Sequence, residues 1–520
     1  MTDGQDAGHP SRRRVLGSLA DAGLLAATGA ILALPQTAEA APKRGGRIRV
    51  ASISSSNADT LDPAKGALST DYSRHYMIYS GLTQFDANLT PQPSLAEVIE
   101  SRDRIVWRIK LRKGVHFHDG STLTADDVVY SLLRHKDPAT ASKVKKIAEQ
   151  IADAKAVGPY EVLVRLVSPN ADLPTILATS QFLIVKNGVS DFRTANGTGP
   201  YRCSVFKPGV RTIGVRNANY WKPGRPYLDE IELIGIPDEV SRVNALLSGD
   251  VHLINAVNPR STRRVRASMR HNILETKSGL YTDLIVRQDR QPTGDRNFTL
   301  AMKYLLDREL IRKALFRGYA TVANDHPIPP TNPYYLPGLP QRTYDPDHAK
   351  HLLRKAGLLG VRLPLYASPA AEGSVDMASI LQESAASVGL KLAVNRVPSD
   401  GYWSNHWMKH PLTFGNTNPR PTADLIFSLF FKSDADWNES GWKNRQFDQL
   451  LMAARGEADE TKRKQMYGDM QVLARNYGGV GIPVFISSLD AYDQRLKGFG
   501  SIPIGGLMGY SFADHVWWDG

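Results

Sequence analysis

The side chains able to do chemistry here are paired histidines, spaced tryptophans and one loop that carries an arginine and an aspartate. His116 and His118 stand two apart beside Asp119. That spacing places both on one face of an extended strand, two thirds of a zinc-type ligand set. The plainer reading is polar residues beside the Asp119-Gly120 turn, and no metal is expected. His348 and His351, three apart on a predicted helix, are spaced like ligands, but nothing selects them over a solvated face. No G-x-S-x-G, H-E-x-x-H, Walker A or C-x-x-C pattern occurs, so no catalytic residue and no cofactor is expected. Trp403 and Trp407 lie four apart, and Trp437 and Trp442 follow. Aromatic rings with polar tips make good walls for a cleft around an extended polar ligand. Between these pairs runs 415–424, G-N-T-N-P-R-P-T-A-D, too rich in Pro and Asn to form a regular element. On it Arg420 suits a carboxylate and Asp424 an ammonium group.

The elements that position these groups follow from periodicity. In 105–134, Ile105, Trp107, Ile109 and Leu111 alternate with Val106, Arg108, Lys110 and Arg112, the pattern of a half-buried strand. Gly114 breaks it, Asp119-Gly120 turns the chain, and Thr124 with Asp127 opens a helix carrying Val128 and Leu132. Further strands are expected at 160–167, 211–216 and 230–236, and helices at 72–79, 240–247 and 300–316. Asp345-Pro346 starts a helix that Gly357 ends. Residues 361–366, 375–388 and 390–397 read as strand, helix and strand, a parallel pair. A polar segment at 288–295 suggests a crossover between domains.

Composition bounds the class. At 520 residues the chain needs two or three cores. Cys203 is its single cysteine, which rules out an internal disulfide. The net charge of +12 comes from scattered basic residues, a solvated surface rather than a nucleic-acid stripe. Residues 1–40 read as an export signal: Ser11-Arg12-Arg13-Arg14-Val15-Leu16 precedes an apolar run, and Ala38-Glu39-Ala40 offers a cleavage site. The motif resembles a twin-arginine signal, and no cysteine near the cleavage site offers a lipid anchor. Beyond it no stretch is long and apolar enough to span a membrane.

Residues 111–132, L-R-K-G-V-H-F-H-D-G-S-T-L-T-A-D-D-V-V-Y-S-L, closely resemble the signature of the bacterial extracellular solute-binding proteins of family 5, the peptide/nickel-type group. Leu61-Asp62-Pro63, Gly197-Thr198-Gly199-Pro200-Tyr201, Asn219-Tyr220-Trp221 and Tyr344-Asp345-Pro346 extend the likeness along the chain. The resemblance implies an α/β, two-lobed periplasmic binding protein fold of type II character, with a hinged cleft and an extra domain inserted in the N-terminal lobe. On that scheme lobe I is 41–76, 198–285 and 487–520, the insert 77–197 and lobe II 286–486.

The implied role is periplasmic capture of a peptide or peptide-like solute, handed to an inner-membrane ABC permease with a cytoplasmic ATPase. The protein is expected to be a monomer. Closure of the lobes would bury the ligand. In dipeptide-binding relatives an acidic residue after the second-lobe strand pairs with the peptide amino terminus. Residues 416–421 carry asparagines there, and Asp424 is the offset substitute. The residues expected to line the cleft are Ser54, Ser55, Ser56, Asn57, Trp403, Trp407, Asn416, Asn418, Arg420 and Asp424. A metal chelate, opine or saccharide ligand is the alternative within the family. A periplasmic hydrolase or a chaperone would be a different class.

Overall fold

Strand Val106–Leu111 buries Trp107, Ile109 and Leu111 and leaves Arg108 and Lys110 exposed, as its alternation requires. It is an inner strand of a four-stranded antiparallel sheet with Ala96–Glu100, Glu161–Leu166 and Ile151–Gly158. Helix Ala125–Leu133 packs on that sheet. Asp127 Oδ2 accepts from the Thr124 amide at 2.8 Å, closing the predicted first turn. The structure, a computed structural model, describes residues 42–519; the export-signal reading lies outside them.

The main sheet is mixed. Its strands run in the order Leu412–Thr417, His271–Val286, Val484–Asp493, Leu253–Ile254, Arg47–Ser52, Glu230–Gly235, Arg211–Arg216 and Tyr201–Lys207. Arg47–Ser52 pairs in parallel with Glu230–Gly235 and Leu253–Ile254; most other pairings are antiparallel. His271–Val286 and Val484–Asp493 are long enough to serve both halves of the molecule. The pairs from His271↔Asp493 to Thr276↔Ser488 lie beside the strands near the N-terminus. Beyond a register break between Thr276 and Leu280, the pairs Tyr281↔Thr417 to Val286↔Leu412 hold strand Leu412–Thr417, so the segment 415–424, expected to form no regular element, is strand at its start and opens helix Ala423–Phe430 at its end.

Buried apolar side chains group accordingly. One set runs from Leu82 to Ile184. A second joins Ile48, Val50, Tyr201 and Leu233 to Phe512 and Val516 at the far end of the chain. A third joins Ala51, Val243 and Leu246 to Leu489 and Ala491, and two more lie within 281–486. In this last part Arg362–Ala367 and Lys391–Arg396 form the predicted parallel pair, with helix Ser374–Ser387 between them. The expected single helix over 300–316 is instead broken into Arg296–Tyr304 and Arg308–Leu310, followed by a wider turn at Ile311–Leu315. Asp307 interrupts it by capping a new start, accepting from the Leu310 amide at 2.9 Å.

Candidate ligand cleft

A cavity of ≈ 1520 Å³ is lined by stretches as far apart in the chain as 53–85, 142–147, 416–437 and 486–510. It exceeds the roughly 300–1,000 Å³ of ordinary small-molecule pockets. Tyr72, Tyr76 and Tyr510 face it from one side and Lys143 to Ile147 from another. Asn416, Asn418 and Arg420 face it from the strand end and loop that follow Leu412. Basic side chains outnumber acidic ones along this wall.

Arg420 is its most distinctive group. One guanidinium nitrogen donates to the carbonyls of Asn418 at 3.0 Å and Pro419 at 3.2 Å, which fixes the loop's curl. The guanidinium carbon lies 5.8 Å from the Phe430 ring. Among the described residues no carboxylate pairs with it. Burial lowers its pKa from the ordinary arginine value, and the phenols of Tyr281, Tyr72 and Tyr510 oppose that shift. Tyr72 and Tyr510 meet edge to face at 5.2 Å. Burial raises the pKa of both, so they are neutral hydroxyls at physiological pH. Arg420 is half-buried, and a guanidinium beside phenolic hydroxyls with no carboxylate paired to it is chemically suited to receive an anion.

Asn416, Asn418 and Arg420 thus come together in the wall, while the other predicted residues do not line it. Ser54 is spent on the helix Ser69–Ile78: its hydroxyl meets those of Ser69 at 3.0 Å and Thr70 at 3.1 Å. Ser55 and Ser56 bond Asp59, and Asn57 packs where a side chain on Gly209 would collide. Ile53, just before them, and Ser69, the partner of Ser54, reach the cavity instead. Trp403 and Trp407 do not share a helix face. The helix stops at Asn405, the rings meet edge to face at 5.8 Å, and Trp407 Nε1 donates to Glu439 Oε1 at 2.7 Å.

Asp424 is committed elsewhere. It is buried, and its Oδ1 accepts from Arg455 Nε at 3.0 Å. Burial raises its pKa and Arg455 counters this. It is therefore corrected from a ligand group to half of an internal ion pair. Of the other aromatics, Trp437 lines the cavity and Trp442 is core. His118 is structural too: its Nε2 lies 3.1 Å from the Gly199 carbonyl, and its Nδ1 accepts from the Gly197 amide at 3.4 Å.

Sequence reasoning missed Tyr72, Tyr76 and Tyr510. The first two stand at i and i+4 of one helix, a same-face spacing that could have marked them. Tyr510 closes a left-handed turn in the C-terminal segment, which no periodicity announces.

Residues 90–439 match the description "Bacterial extracellular solute-binding proteins, family 5 Middle". The chain belongs to this family. The glutathione-binding protein GsiB of Escherichia coli K12 is 26% identical over 482 residues, covering 88% of this chain and 92% of that protein. The fold is that of two-lobed periplasmic binding proteins. The structure titled as DppA of Helicobacter pylori in complex with peptide STSA superposes with TM-score 0.76 at 21% identity, covering 92% of this chain and 99% of that one. NikZ of Campylobacter jejuni in complex with Ni(L-His) gives 0.76 at 23%, covering 90% and 99%.

Proposed function

We propose that this protein is the periplasmic substrate-binding component of an ABC importer, and that it captures a peptide or peptide-like solute through a carboxylate held on Arg420. The observation that carries the reading is the guanidinium in the cavity wall, without an anion and flanked by phenols. GsiB and DppA, whose names and complex concern glutathione and a peptide, support this solute class. Asn416 and Asn418 supply amides along the same wall.

Two halves joined by a pair of long strands, with a register break at 276–280, suit a hinge between lobe I (41–76, 198–285, 487–520, bearing the 77–197 insert) and lobe II (286–486). Export by the twin-arginine route would deliver the folded protein to the periplasm. Replacing Arg12 and Arg13 together by lysine is expected to leave the precursor in the cytoplasm. Periplasmic accumulation of that variant would remove the twin-arginine assignment.

Calorimetric titration with short peptides, their C-terminal amides and Ni–histidine tests the ligand reading. Arg420→Met should weaken a free-carboxylate peptide by about 2–5 kcal/mol, and amidation should weaken wild type by a similar amount. Equal affinity for acid and amide would remove Arg420 as the carboxylate receptor. Heat from Ni–histidine alone would favour a chelate.

A further inference from the structure

We propose that His406 and His410 form a transition-metal site outside the solute cavity, and that copper(II) is the ion that suits it. His406 Nδ1 and His410 Nε2 face each other at 3.1 Å. Both side chains are half-buried, so solvent reaches them. With metal–nitrogen bonds of about 2.0–2.1 Å, that separation subtends about 95–100° at a shared ion, close to the cis angle of a square-planar set. Between two neutral imidazoles one ring donates a single N–H to the other, and an ion would displace that proton. Neither histidine lines the cavity that holds Arg420.

Packing sets the two rings. The Tyr366 ring stacks on His410 at 3.6 Å and 8°, and on His406 at 5.8 Å. Tyr402 stacks on His406 at 6.2 Å. Tyr402 is itself buried, and its hydroxyl donates to the Phe414 carbonyl at 2.6 Å. After the short helix Tyr402–Asn405, the Lys409 amide donates to the His406 carbonyl at 3.0 Å. Met408 takes a φ of 60°, a left-handed conformation that non-glycine residues seldom adopt. This turn returns His410 to His406, and Arg290 braces it by donating to the Lys409 carbonyl. Among the described residues no third histidine, cysteine or acid adds to the pair. Two neutral imidazoles without a carboxylate disfavour calcium and magnesium, and copper(II) heads the affinity order at such nitrogen sites. Water or groups of a bound molecule would complete the coordination. The pairs that spacing alone suggests lack this geometry. His118 is held by the backbone of Gly197 and Gly199, and the His348 and His351 rings lie 6.4 Å apart, against 5.3 Å for His406 and His410.

The test is binding of copper(II) chloride by the intact protein, read by equilibrium dialysis and electron paramagnetic resonance. Wild type is expected to hold one ion at this site with the signature of two imidazole nitrogens. His406→Gln and His410→Gln should each weaken that binding at least about tenfold, no less than loss of an outer partner of a metal ligand costs. His351→Gln should leave it unchanged. Equal copper affinity in wild type and in both variants, or a wild-type spectrum with a single imidazole nitrogen, would overturn the site. A second measurement does not depend on the variants folding. In wild type, copper should shield His406 and His410, but not His351, from diethyl pyrocarbonate, mapped by mass spectrometry. Equal modification of His406 and His410 with and without copper would likewise overturn the site.

Discussion

Asp283 and Glu439 press two carboxyl groups together beneath Gly415, one residue before Asn416. A Cβ on Gly415 would lie 2.3 Å from Glu439 Oε1 and 2.7 Å from Asp283 Oδ1, so the glycine makes room for the pair. Both acids are buried, and two like charges so placed do not ionise together. Burial first, then the neighbouring carboxyl, pushes Asp283 well above its ordinary range; burial pushes Glu439 up to about 7. An acid whose folded pKa is raised holds its proton longer in the native state. Its contribution is therefore full below the unfolded value and lost as pH rises toward the folded one. Stability should fall by about 1–3 kcal/mol between roughly pH 4.5 and 7. Asp490, raised to about 7 by burial, contributes in the same window. Glu439→Gln should remove part of this slope; urea unfolding at pH 5 and pH 8 measures it, and an unchanged difference would exclude the pair as its source. At this scale only the place of Arg420 in the cavity wall was legible, from its position on a polar Pro/Asn loop; its bonds to the Asn418 and Pro419 carbonyls were not. Asp424 was not, because its partner Arg455 lies 31 residues on and meets it only through the packing of two helices.

The Gly197-Thr198-Gly199-Pro200-Tyr201 turn shows how an element is set by close approach. A Cβ on Gly197 would sit 2.1 Å from the Ile78 carbonyl oxygen, and one on Gly199 2.4 Å from the Ile78 carbonyl carbon. These glycines let the turn lie directly on the end of helix Ser69–Ile78, whose face carries Tyr72 and Tyr76. Gly197→Ala should destabilise the protein by about 2–3 kcal/mol, since backbone rather than a flexible side chain must give way. A thermal midpoint equal to wild type would show that the contact relaxes. The alternating strand Val106–Leu111, the capped helix after it and the parallel pair in the second half were all legible from local patterns. Strand His271–Val286 was not. Its Lys277-Ser278-Gly279 interruption reads as a break, and the strand continues through it because Val484–Asp493 pairs on either side of it, at Thr276↔Ser488 and Leu280↔Ile486.

For the whole molecule, the contact between separately cored parts matters most. Asp172, beside the apolar set of 82–184, accepts from Arg463 at 2.6 Å, with both side chains nearly inaccessible (6% and 5% exposed). The Ala171 amide donates to the Arg455 carbonyl at 2.9 Å beside it. Arg463→Met leaves a buried carboxylate alone and should cost about 3–5 kcal/mol, whereas pairing it with Asp172→Asn should restore part of the loss. Calorimetric unfolding of the two single variants and the double variant gives the coupling, and strict additivity would mean that the pair is not coupled. By contrast Lys146–Asp436, exposed on both sides, should contribute little. The two-lobed fold was legible through the motifs that resemble family 5, but contacts such as Asp172 with Arg463 were not, because pairs nearly 300 residues apart leave no local pattern. The account's central claim is that the cavity holds a carboxylate-bearing solute on Arg420. Native mass spectrometry of protein purified without denaturation tests it most directly. Wild type should carry a small co-purified solute that Arg420→Met has lost, and the same adduct at equal occupancy on both proteins would contradict the claim.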